Sequence, residues 1–297
     1  HLGWFGQLAA TWGLPDGDPD RRAALAPAMR TAIGAFVAVP LALLGSAIGF
    51  VLLVIALIRL RAGKLVRAGE TALAGRSGAG LLVEAFALYL AWFVVIQALS
   101  RMLPGQLLSL MWMALYVVAP IACLWPLTQG MSFAELRSRL GWRTGAGLFR
   151  EMGWGLIGYV AGLPIMGAGI VITLVLSRLG DTQPTHPISE WIVWEFWRVA
   201  GLLALASIYA PLAEETMFRG SLYAGVRGRR SAVASALIVA FVFAAIHPQG
   251  WTGIPVLMSI AFVFALLREW RGSLIAPITA HAINNTIVVI IGALVAG

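Results

Sequence analysis

The chain has 297 residues, of which 60% are hydrophobic and only 11% charged. Soluble domains carry about 25% charged residues, so the composition excludes an ordinary soluble globular protein and points to an all-α, polytopic transmembrane helix bundle. The formal charge of +8 comes almost entirely from arginine, with Lys64 the only lysine; scattered among apolar segments, these arginines read as loop charges and not as a nucleic-acid surface.

Residues 1–30 read as an N-terminal extramembrane segment with mixed charge, Arg21, Arg22 and Arg30 against Asp16, Asp18 and Asp20. With spans of about 20 residues, the remainder divides into about eight apolar segments: 33–58, 81–100, 107–127, 153–177, 197–226, 231–247, 252–268 and 273–296. Residues 31–180 then form an N-terminal set of helices and residues 195–297 a separate core. Alternate loops are rich in arginine: Arg59, Arg61, Lys64, Arg67 and Arg76; Arg137, Arg139, Arg143 and Arg150; Arg227, Arg229 and Arg230; Arg268 and Arg271. By the positive-inside rule these loops are cytoplasmic and both termini outside. The arginine bias suggests a bacterial inner (plasma) membrane. No cleavable signal peptide is visible, and Cys123, the one cysteine, reads as a small hydrophobe in an apolar run.

Two segments read as interfacial anchors. Ser132 and Glu135 make a capping-box pattern that opens a basic amphipathic stretch. Trp191, Trp194 and Trp197 recur at helical spacing as an aromatic belt. Gly153, Gly155, Gly158 and Gly162 suit close helix packing. Glu84 and Gln97 read as rim polar groups. Gly75-Arg76-Ser77-Gly78 imitates a serine-protease loop but lies among loop arginines.

The fifth segment departs from a plain membrane span. Glu214 and Glu215 are adjacent within it, and Arg219 follows four residues after the second. Carboxylates at membrane depth cost a few kcal/mol each on insertion scales, and ionisable groups there mark functional sites. His247, His281 and Asn285 stand in the later segments, separated from Glu214 and from each other by 33, 34 and 4 residues. At ~1.5 Å per helical residue, Glu214 lies roughly 18 Å above the arginine-rich loop, His247 roughly 24 Å, His281 roughly 12 Å and Asn285 roughly 18 Å. Three helices thus bring Glu, His, His and Asn to one level. His281 and Asn285 share a helix face, as do Glu215 and Arg219, whose order favours an ion pair. Glu215 is then the tethered carboxylate, and Glu214 the one that serves as base.

Such a set suits amide hydrolysis. Glu214 with His247 would deprotonate water and later protonate the leaving amine, while His281 and Asn285 would donate to a tetrahedral oxyanion. Alternatively Glu214, His247 and His281 would hold zinc with an open position for water. Blander readings exist for each residue: a buried ion network, a helix cap at His247-Pro248, and interhelical hydrogen bonds at His281, Asn284 and Asn285.

Three motifs stand in order on successive late helices: Glu214-Glu215-x-x-x-Arg219, Phe243-x-x-x-His247 and His281-x-x-x-Asn285. Together they resemble the CPBP intramembrane protease family, which includes type II CAAX prenyl endopeptidases and the bacteriocin-processing or self-immunity proteins of the ABI group. The resemblance covers residues 195–297 and implies that residues 31–180 are a family-variable N-terminal part. It implies an intramembrane endopeptidase acting on a membrane-associated protein or peptide, with Glu214 and His247 activating water, His281 and Asn285 at the oxyanion, and Glu215, Arg219 and Phe243 in support. The family is described both as metalloprotease and as metal-free glutamate protease; the expectation here is no cofactor, with zinc as the alternative. No nucleic-acid partner is expected, and oligomeric state is not legible. Competing classes are a non-catalytic scaffold or self-immunity protein of the same fold, and a proton-coupled transporter.

Overall fold

A computed structural model describes residues 3–65, 68–73, 78–100, 102, 118–180 and 196–296. Among them there are helices and connecting turns and no strand. In chain order the helices are α1 (Gly3–Ala10), α2 (Pro19–Arg61), α3 (Ala68–Leu73), α4 (Ala79–Ser100), and a 3-10 turn Ala119–Leu124 leading into α5 (Trp125–Thr128). Then come α6 (Phe133–Leu140), α7 (Leu148–Leu179), the composite α8 from Phe196 to Arg227, α9 (Ala232–Ile246), α10 (Ile254–Arg271) and α11 (Ile275–Ala296). Five described helices are long and apolar enough to cross a membrane, with shorter apolar helices beside them. The chain is a polytopic helical bundle. Most of the third expected span, the loop Gly75–Ser77, Trp191, Trp194 and the side chain of Gln97 lie outside the described residues.

Local signals set the helix ends. Asp18 caps α2, accepting from the main-chain N–H of Asp20 and Arg21. The helix therefore begins at Pro19, well before the apolar run. Ser132 caps α6 and Ser231 caps α9, each accepting an N–H three residues on. Helices α6 and α10 end on Gly141 and Gly272 in the left-handed region, at φ 83° and 65°.

The bundle is organised around α7 and α10. Helix α10 packs between α7 and α9, and α7 also carries α2 and α11. Glycines on α7 allow this: a Cβ at Gly155 would strike Ala276 of α11, and Cβ atoms at Gly158, Gly162 and Gly169 would strike Leu267, Val263 and Ser259 of α10. Small residues let membrane helices approach backbone to backbone. Gly153, expected in the same stripe, faces open space. Glu84 is exposed and accepts from Trp125 Nε1 at 3.1 Å.

Helix α6 turns part of its apolar face to the bundle. Leu136 and Leu140 are fully buried, in one core cluster with Met217, Phe218 and Leu222 of α8. Trp142 Nε1, just past α6, donates to Thr216 Oγ1 at 3.2 Å, one residue from Glu215. The amphipathic pattern was legible, but part of its apolar face covers protein.

Candidate active site

The glutamate pair sits on an irregular helix. Within α8, α-helical Phe196–Ala204 passes into a π turn at Leu205–Tyr209, a short α segment Ala210–Glu215, a second π turn at Thr216–Leu222, and α-helical Tyr223–Arg227. Turns of this type concentrate at functional sites. Pro211 within this helix supplies no N–H and is one physical reason the regular ladder cannot continue. Glu214 and Glu215 therefore occupy the α segment between two wider turns.

Glu215 and Arg219 are both fully buried and paired, with Arg219 Nη1 donating to Glu215 Oε1 at 2.8 Å. Arg219 Nη2 donates to the Ala261 carbonyl of α10 at 2.9 Å. The guanidinium lies 5.9, 5.1 and 5.4 Å from the ring centres of Phe218, Phe243 and Phe264. Three aromatic faces attract the cation without proton acceptors, which compensates part of the cost of burying it. Phe243 thus has a visible contact in the site beyond its place in the sequence motif.

His281 joins the two glutamates. Its Nδ1 lies 2.8 Å from Glu215 Oε1 and its Nε2 3.8 Å from Glu214 Oε2. A carboxylate paired with arginine accepts only, so Nδ1 carries the proton and Nε2 faces Glu214. Phe264 stacks on the ring at 5.2 Å. Glu214 is the more accessible carboxylate, with 13% of its side chain exposed against none for Glu215.

His247 ends α9 in an extended conformation, φ −82° and ψ 143°, ahead of Pro248. Its Nδ1–H donates to the Phe243 carbonyl at 2.6 Å, and the rings of Phe243 and His247 lie 4.2 Å apart. Nε2 is then the ring nitrogen left available for proton transfer. Asn285, one turn beyond His281, donates from Nδ2 to the Ala206 carbonyl at 2.8 Å. Asn284 donates to Asn285 Oδ1 at 3.3 Å and accepts from the Tyr159 hydroxyl at 3.5 Å. Asn284 is therefore part of the support, although sequence spacing turns it away from the His281–Asn285 face.

The zinc alternative needs three donors at one point. Among the described residues no group of three or more His, Cys, Asp or Glu side chains has that arrangement. Glu214, His247 and His281 do not fit a three-ligand centre here, and Nδ1 of His281 is engaged by Glu215.

Comparison with known proteins falls on this same region. The sequence model of the Rce1-like group, type II CAAX prenyl endopeptidases, matches residues 196–287. The match lies in the same part of the chain as the glutamate, histidine and asparagine motifs. It is also similar to a membrane-embedded CAAX protease, MroQ, of Staphylococcus aureus (strain USA300), at 27% identity over 143 residues. That alignment takes in 46% of this chain and 56% of the relative, so it spans little more than half of the curated relative's length. No solved structure matches. The five long apolar helices, together with the likeness to a membrane-embedded relative, support an integral membrane protein.

Proposed function

We propose that the protein is an intramembrane endopeptidase that hydrolyses a peptide bond of a membrane-associated protein or peptide. Glu214 is the general base that takes a proton from water, with His247 beside the reaction to pass a proton to the leaving amine. Asn285, and His281 when its Nε2 also carries a proton, stabilise the tetrahedral oxyanion. Glu215, held by Arg219, orients His281 through Nδ1, an arrangement in which a buried carboxylate fixes one ring nitrogen so that the other faces the chemistry. No step is assigned to a metal. The arginine-rich ends of the helices face the cytoplasm.

The single observation that carries this reading is the unlike pair. Adjacent carboxylates meet one histidine, yet one is sealed against an arginine and the other is partly accessible. A purely structural ion network has no need of the second carboxylate.

The test compares membrane proteomes of cells carrying the wild type, Glu214→Gln and Glu215→Gln. Glu214→Gln is expected to abolish Glu214-dependent fragments, a loss of about 10²–10⁴ in rate, with the purified protein melting as the wild type does. Glu215→Gln is expected chiefly to lower the melting temperature, because it leaves Arg219 buried without its counter-charge. Equal stability loss in both variants, or fragments that persist in Glu214→Gln, overturns the reading. Fragments that form only with added metal after chelation of the purified protein would replace the metal-free mechanism.

A further inference from the structure

The first π turn of α8 deprives one main-chain carbonyl of the N–H groups that a helix would ordinarily offer it. The N–H of Ala210 donates to the Leu205 carbonyl, five residues back. In a regular α-helix that N–H would serve Ala206. The next N–H along, which would serve Ala206 in a π turn, belongs to residue 211, and Pro211 has none. Ala206 is buried, and a buried carbonyl without a donor is costly. The donor it receives is the side chain of Asn285, at 2.8 Å.

The amide is held in that orientation. Asn285 Oδ1 accepts from Asn284 Nδ2, and Asn284 Oδ1 accepts from Tyr159 on α7. The chain Tyr159–Asn284–Asn285–Ala206 therefore ties α7, α11 and α8 together. Both amide oxygens in it face a donor, which fixes Nδ2 of Asn285 towards the carbonyl. Eight residues separate Ala206 from Glu214. A π turn adds a residue to the helix, so closing it to α-helix would turn everything beyond it by about 100° relative to what precedes it.

We propose that Asn285 is a positioning residue: its amide supplies the N–H that Pro211 lacks, and so holds the π turn that sets the facing of Glu214 and Glu215 towards His281. This is additional to donation at an oxyanion, since an amide nitrogen carries two N–H groups and Ala206 takes one. The catalytic consequence rests on Glu214 being the base; the structural claim does not.

The experiment is a double-variant cycle on the full chain in detergent, using Asn285→Ala, Asn285→Asp, Pro211→Ala and Pro211→Ala with Asn285→Ala. Amide hydrogen exchange of the segment 203–213 is the first readout. Asn285→Ala and Asn285→Asp both remove the donor and are expected to speed exchange on the order of tenfold. Pro211→Ala restores an N–H in the helix, so adding Asn285→Ala to it is expected to change exchange less than about twofold. The same acceleration in both backgrounds overturns the proposal. Turnover of the Glu214-dependent precursor is the second readout. Asn285→Ala is expected to lower kcat with little change in KM, and the loss is expected to shrink in the Pro211→Ala background. A kcat loss of equal size in both backgrounds leaves Asn285 with the oxyanion alone and overturns the positioning role. If the wild type yields no Glu214-dependent fragments, the protease reading fails while the exchange readout still decides the clamp.

Discussion

Helices α2 and α10 both qualify as membrane spans, yet their environments are opposite. Only 6% of the spanning window of α2 is buried inside the protein, against 50% for α10. The more hydrophobic helix is the less buried one. In water that order would be perverse, but lipid tails are as apolar as leucine, so apolarity gives little preference for the interior. What draws α10 inward is close packing and polar contact: Val263 and Leu267 against glycines of α7, and the Ala261 carbonyl on Arg219. Helix α2 leans on α7 at Gly49, where a Cβ would collide with the Val160 carbonyl, and otherwise presents large side chains such as Phe36 outward.

This contrast can be broken at three graded points. Arg219→Leu leaves Glu215 buried without a counter-charge and is expected to cost about 3–5 kcal/mol, seen as a large fall in melting temperature or loss of folded protein in detergent. Gly162→Leu drives a side chain into Val263 of α10 and is expected to cost about 1–3 kcal/mol by the same measurement. Phe36→Ala on the outer face of α2 is expected to stay within about 0.5 kcal/mol. A Phe36→Ala effect as large as that of Gly162→Leu would show that α2 packs against protein in solution, and the division between the two helices would fall.

The sequence showed some of this more clearly than the rest. The all-α membrane class followed from composition, and the positions of the late helices from apolar runs bounded by arginine. The i and i+4 spacing of Glu215 and Arg219 foretold their pair, because both residues lie on one helix and need no tertiary information. The role of α6 was not legible, since an amphipathic face looks the same whether lipid or protein covers it. Leu136 and Leu140 show that protein covers part of it. The link from His281 to Glu215 was also missed, because depth counting sets a level and not a direction within it. Asn284 read as an interhelical hydrogen-bonding group, and its contact with Tyr159 of α7 is of that kind. The irregularity of α8 did have a signal, Pro211 inside an otherwise helical run, but a proline alone does not say whether a helix kinks, stops or widens.

The Glu215–Arg219 pair has a consequence for how the protein is made. Its partners lie four residues apart on a single helix, so the pair exists as soon as that helix does. Helix α8 carries one glutamate and the arginine already paired within its own length. Arg227 and Glu269, by contrast, lie on different helices, α8 and α10, and meet at 2.9 Å only when both are assembled. They flank the arginine-rich ends of those helices, where each ion can stay hydrated until the other arrives. Biogenesis thus sorts the two ion pairs: the deep one is carried in within one segment, and the shallow one closes afterwards.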